Sequence, residues 1–276
     1  MHIYRMNFLL IILLSSSDML ASYFPANSWE ISSPEQQQVR SDNVNALINL
    51  AFLDDSTQAV VVVKNGKIIS EKYAEGYDKN SHGTSWSMAK SYYAALIGIS
   101  IDKGEISSLD DKVGKYLDYF NDERSEITIR DLLDMSSGLD FPKDEHETMF
   151  FQEDHLKYAM NVGVEKSAGL KFEYNNVNSM LLGDILIAAT GKKADTLLKE
   201  RILDHIGVQD YKLWKDENGN VLTYCCVDMS ARDYSKIGLL FSRNGNWDGK
   251  QLISKKYVDE TFQVCLLYTS DAADEH

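Results

Sequence analysis

In the stretch Thr84-Ser-Trp-Ser-Met-Ala-Lys90, Ser87 and Lys90 lie three residues apart at the point where an apolar run with helical spacing begins. A serine hydroxyl attacks a carbonyl only when something removes its proton. A lysine amine can remove it when burial or neighbouring cations lower its pKa. A spacing of three puts both side chains on one helix face. The partial positive charge at a helix N-terminus favours a developing oxyanion. Ser87 and Lys90 therefore have the chemistry of a nucleophile and its amine partner. Ser100 and Lys103 repeat the spacing late in the same run, next to Gly104 and with no helix start to assist them. Taken alone, either pair is also compatible with ordinary helix residues.

A second element is Gly169-Leu-Lys-Phe-Glu-Tyr-Asn-Asn176, which sets Tyr174 and Asn176 just ahead of another apolar helical pattern. A phenol relays a proton when nearby lysines favour its ionised form. An asparagine amide holds a lysine or binds a substrate carbonyl. Tyr119 and Asn121 share the pattern, so residue types do not choose between the two copies.

The elements that must carry these residues follow from periodicity. From about 58 to 75, two β-branched runs flank Asn65-Gly66, a pair suited to the positive φ angles of a tight hairpin turn. A helix is expected from the Ser87 region to Gly104, followed by mainly helical chain to about Tyr211. Beyond it, residues Leu222 to Gly249 read as a short strand, a helix and a glycine-rich turn. The expected architecture is α+β: an antiparallel β-sheet flanked by helices, with an all-helical subdomain inserted. The divisions are 22–84 with 212–263 for the sheet-containing part and 85–211 for the helical part that holds Ser87, Lys90 and Tyr174.

The 276 residues are 44% apolar and 25% charged, an ordinary globular composition. The net charge of -14 argues against broad contact with nucleic acid or anionic lipid. Arg5, the apolar run Phe8 to Leu14 and the Ala21-Ser22 step read as a secretory signal peptide over residues 1–21, so a periplasmic or secreted bacterial location is expected. The run is well short of the ~20 residues of a membrane span, so no stable membrane anchor is expected. Cys225, Cys226 and Cys265 are too few for a disulfide framework, and the adjacent pair is expected to pack unbridged. Six scattered histidines show no metal-binding spacing, and neither a metal nor an organic cofactor is implied.

In order, the hairpin, the Ser87 stretch, Thr128 to Leu139, Gly169 to Asn176, Leu181 to Lys192 and Tyr224 to Ser254 resemble the class C beta-lactamase-related serine hydrolases, and most of all the branch with 6-aminohexanoate-oligomer hydrolases and esterases. The resemblance spans about residues 45 to 262. It implies a beta-lactamase/transpeptidase-like fold, Ser87 as acylated nucleophile, Lys90 as its amine partner, Tyr174 as general base and acid, and Asn176 as a positioning residue. A small ester, amide or peptide is the implied substrate; the oligomeric state is left open. Such enzymes carry a further Lys or His, small residue, Gly motif on a late edge strand. Here His205-Ile-Gly207 and Lys166-Ser-Ala-Gly169 only approximate it. The sheet is therefore expected to be incomplete at the C-terminus, the natural chain to run further, and residues 264–276 to be foreign to it. Two other readings remain: a ligand- or peptidoglycan-fragment-binding homologue without turnover, and a penicillin-binding carboxypeptidase or transpeptidase.

Overall fold

The computed structural model describes residues 23–25, 28–140 and 148–263; the expected signal peptide, the tail 264–276 and Cys265 lie outside the described residues. The first helix, α1 (Ser41–Ala51), lies on a hairpin of β1 (Ala59–Lys64) and β2 (Lys67–Tyr73). It buries Val44 and Ile48 against Ile69, while Leu47, Leu50 and Leu53 stay exposed. The hairpin closes through Asn65 (φ 53°) and Gly66 (φ 81°), both left-handed as such a turn demands. Any side chain on Gly66 would also collide with the Tyr23 carbonyl.

After β3 (His82–Thr84) and a short 3-10 turn over Trp86–Met88, the chain enters α2 (Ala89–Asp102). Then come α3 (Ile129–Leu133), capped by Thr128 and Asp131, and α4 (His155–Met160), capped by Asp154. The long α5 (Asn176–Thr190) starts on the Asn175 side chain and stops at left-handed Gly191. α6 (Ala194–Leu198) runs into a π-helical turn at Lys199–Leu203. The remaining elements are β4 (Tyr211–Leu213), β5 (Val227–Ser230), α7 (Ala231–Ser242), the two-residue strands β6 (Asn246–Trp247) and β7 (Lys250–Gln251), and α8 (Lys255–Thr261).

All of these strands pair antiparallel, and the α+β class expected from the sequence is the one observed. The described strands form three small sheets rather than one. In the three-stranded sheet β5 lies between β3 and β4, with Gly83 and Tyr211 both opposite Met229. That pairing ties the two ends of the helical stretch together, and it is what brings the segment ahead of β5 beside the turn that holds Ser87.

The core centres on α2 and α5, which are apolar on all sides, as helices enclosed by other elements must be. Tyr92, Tyr93, Leu96 and Ile97 of α2 and Leu181, Ile185 and Leu186 of α5 are almost wholly buried. Gly98 lets α8 approach α2: a Cβ there would stand 2.4 Å from the ring of Tyr257, whose hydroxyl donates to the Ala94 carbonyl at 2.7 Å.

Candidate active site

The turn that carries Ser87 is held from one side by the chain around β5. Ser85 N–H donates to the Val227 carbonyl at 2.8 Å, and Val227 N–H donates back to Ser85 Oγ at 2.9 Å. Cys226 N–H donates to the Trp86 carbonyl at 3.3 Å. Trp86 itself is left-handed (φ 44°), an uncommon conformation for a bulky residue that costs on the order of 1–3 kcal/mol and persists only where its surroundings impose it. The exposed hydroxyl of Ser87 then stands at the start of α2.

One helical turn on, Lys90 Nζ donates to Ser87 Oγ at 3.0 Å and to the Tyr224 carbonyl at 2.6 Å. The ammonium lies 4.9 Å from the centre of the Tyr174 ring and 5.8 Å from that of Tyr224. Among the described residues no carboxylate pairs with it. Burial without a counter-charge pulls the Lys90 pKa down to about 7, which leaves much of the amine neutral near neutrality. A neutral amine at hydrogen-bond distance can take the Ser87 proton.

The structure thus brings Ser87, Lys90 and Tyr174 together. Tyr174 is 44% exposed, and among the described residues its hydroxyl meets no hydrogen-bond partner. Asn176 opens α5, and its Oδ1 is buried with no partner, an acceptor still to be satisfied. No described contact joins it to Lys90; its neighbour Asn175 makes the helix cap instead.

The duplicate motifs fall elsewhere. Ser100 is fully buried and accepts from Arg201, while Lys103 ends α2. Tyr119 donates to Asp184 at 2.8 Å, inside the helical region. Of the two approximations to the late edge-strand motif, neither stands on a strand. His205 faces Lys250, the Gly207 carbonyl accepts from Lys236, and Lys166 pairs with Glu165 and Glu173.

One expectation is corrected. Cys225 and Cys226 are joined in a vicinal disulfide rather than packed as free thiols. The backbone makes this possible: Cys226 is left-handed (φ 75°), its N–H is held by Trp86, and the Cys225 N–H is held by the Leu222 carbonyl. Reading the sequence also missed Tyr224, whose backbone carbonyl is the shortest partner of Lys90. A carbonyl has no residue type, so no motif could have shown it. Behind it the Tyr224 hydroxyl meets buried His155 Nδ1 at 3.0 Å, and burial lowers the His155 pKa. Among the described residues no group of His, Cys, Asp and Glu is placed to hold a metal ion.

A serine hydroxyl hydrogen-bonded to a lysine with no carboxylate partner among the described residues, at a helix start beside an antiparallel sheet, is an arrangement that can support acyl transfer. The family model described as Beta-lactamase matches residues 53–235, and the chain belongs to that family. It is 28% identical over 178 residues to a D-aminopeptidase of Brucella anthropi, covering 57% of this chain and 33% of that protein. It is 26% identical over 174 residues to an N-acetylmuramyl-L-alanine amidase of Bacillus subtilis, covering 52% of this chain and 39% of that one. The chain therefore spans between a third and two-fifths of the length of these relatives. Among solved structures, a Bacillus anthracis protein assigned as a 6-aminohexanoate-dimer hydrolase superposes with a TM-score of 0.71 at 22% identity, over 88% of this chain and 68% of that one. That likeness is one of fold.

Proposed function

We propose that the protein is an exported, periplasmic or secreted serine hydrolase that opens a small amide, peptide or ester through an acyl-enzyme on Ser87. The observation that carries this reading is the 3.0 Å contact between Lys90 Nζ and Ser87 Oγ, made by an amine whose pKa burial has brought to about 7. Neutral Lys90 accepts the Ser87 proton as Oγ bonds to the substrate carbonyl carbon. Collapse of the tetrahedral intermediate expels an amine or alcohol, which takes a proton delivered through Lys90 and the Tyr174 hydroxyl. Water then attacks the acyl-serine, gives its proton back by the same path, and releases the acid. An amide or peptide bond is the favoured target, since the curated relatives include a D-aminopeptidase and an amidase.

The test is intact mass spectrometry after incubation with an activated acyl ester. One acyl adduct mapping to Ser87 and missing from Ser87→Ala is expected. An unlabelled protein, or equal labelling of the variant, would overturn the proposal and favour a binding protein without turnover.

A further inference from the structure

Four hydrogen bonds join three residues of one short segment to the nucleophile region. The Tyr224 carbonyl accepts from Lys90 Nζ, Cys226 N–H donates to the Trp86 carbonyl, and Val227 exchanges bonds with Ser85 in both directions. The disulfide lies in the middle of this strap, since Cys225 and Cys226 are the residues between Tyr224 and Val227. It closes a small ring through the peptide that separates the carbonyl bound to Lys90 from the N–H bound to Trp86. Two non-glycine residues in the left-handed region, Trp86 and Cys226, face each other across one of these bonds, and both cysteines are buried.

We infer that the Cys225–Cys226 disulfide is a positioning device for Lys90 and Ser87, and that reducing it loosens the site. This role rests on the acyl-transfer reading above. A ring that fixes Cys226 keeps its N–H on Trp86 and the Tyr224 carbonyl on Lys90 with less conformational freedom left to the strap. Opening it returns that freedom to the backbone. The chemistry is a two-electron exchange: a small dithiol such as dithiothreitol gives two electrons and two protons, the S–S bond becomes two S–H groups, and the reagent closes to its own cyclic disulfide.

The groups that face Lys90 set what loosening does to it. They are the Ser87 hydroxyl on the 3-10 turn ahead of α2, the Tyr174 ring ahead of α5, and the Tyr224 carbonyl and ring on the strap, backed by His155. None of these is a carboxylate, so the amine is governed by how dry the pocket is. A loosened strap admits water, and the amine becomes more basic.

The experiment compares the oxidised protein, the protein reduced with dithiothreitol, and the Cys225→Ser/Cys226→Ser variant, with alkylation and mass confirming the thiol state and circular dichroism confirming the fold. Two readouts are taken against pH: acylation of Ser87 by an activated ester, and acetylation of Lys90 by acetic anhydride, which needs no catalysis. Opening the disulfide is expected to slow acylation about tenfold and to move the Lys90 midpoint up by about one pH unit or more in both readouts. Reoxidation restores both in the wild-type chain. A folded, opened protein with an unmoved Lys90 midpoint overturns the proposal, as does a chain isolated without reductant that carries two free thiols at these positions. If Ser87 is never acylated while the Lys90 midpoint still shifts, the strap stands and the hydrolase reading fails.

Discussion

The amine of Lys90 is hydrogen-bonded to the hydroxyl of Ser87 at 3.0 Å, and no described carboxylate stands by to hold it charged. In a lysine paired with an acid the proton would be locked in place. Here burial alone acts, and it favours the neutral amine that can serve as a base.

Acylation should therefore follow Lys90. Its rate is expected to rise with pH up to about 7 and to level off above, because the unprotonated amine is the active form. Lys90→Arg removes that limb and lowers the rate by roughly 10²–10⁴-fold. A stopped-flow pH profile with an activated ester checks this; a limb unchanged in the arginine variant would take the role away from Lys90.

The same residue costs stability. Its folded pKa of about 7 lies below the ordinary 10.5, so between these values the unfolded chain binds a proton that the folded chain does not. Stability should rise with pH across that window. The full cost of the buried ammonium is present at and below about pH 7. Lys90→Met, which keeps the bulk and drops the charge, is expected to be more stable at pH 6 by on the order of a few kcal/mol. The gain should fade toward pH 10.5. Urea unfolding at several pH values measures it; a variant no more stable than the parent at pH 6 would contradict the burial argument.

Tyr174→Phe keeps the ring beside Lys90 and removes only the hydroxyl, for which no described partner exists. Melting temperature and the Lys90 limb should stay as they are, while acylation and deacylation slow by roughly 10²–10⁴-fold if the phenol relays the proton as proposed. A loss under about threefold, far below that range, would remove Tyr174 from the proton path.

Much of the framework was legible along the chain. Asn65-Gly66 between β-branched runs marked the hairpin, and α2 and α5 showed in their dense apolar spacing. These are local signals, set by φ preferences and side-chain period. The division of the strands into three small sheets was not anticipated, because β3 and β5 pair across a long stretch of sequence; α1 was not anticipated either.

For the site, the sequence by itself determined which residue types were at hand and that Ser87 and Lys90 share a helix face, since a spacing of three fixes that without any tertiary contact. It could not choose between Ser87 with Lys90 and Ser100 with Lys103, or between Tyr174 and Tyr119. Tertiary packing made both choices, by burying Ser100 against Arg201 and giving Tyr119 to Asp184 while setting the Tyr174 ring beside the amine. It alone also placed the Tyr224 carbonyl on Lys90 and closed Cys225 onto Cys226. The first contact comes from a backbone group 134 residues away and the second depends on a left-handed turn held by Trp86, so the amine's dryness, and with it its basicity, is a property of the folded chain.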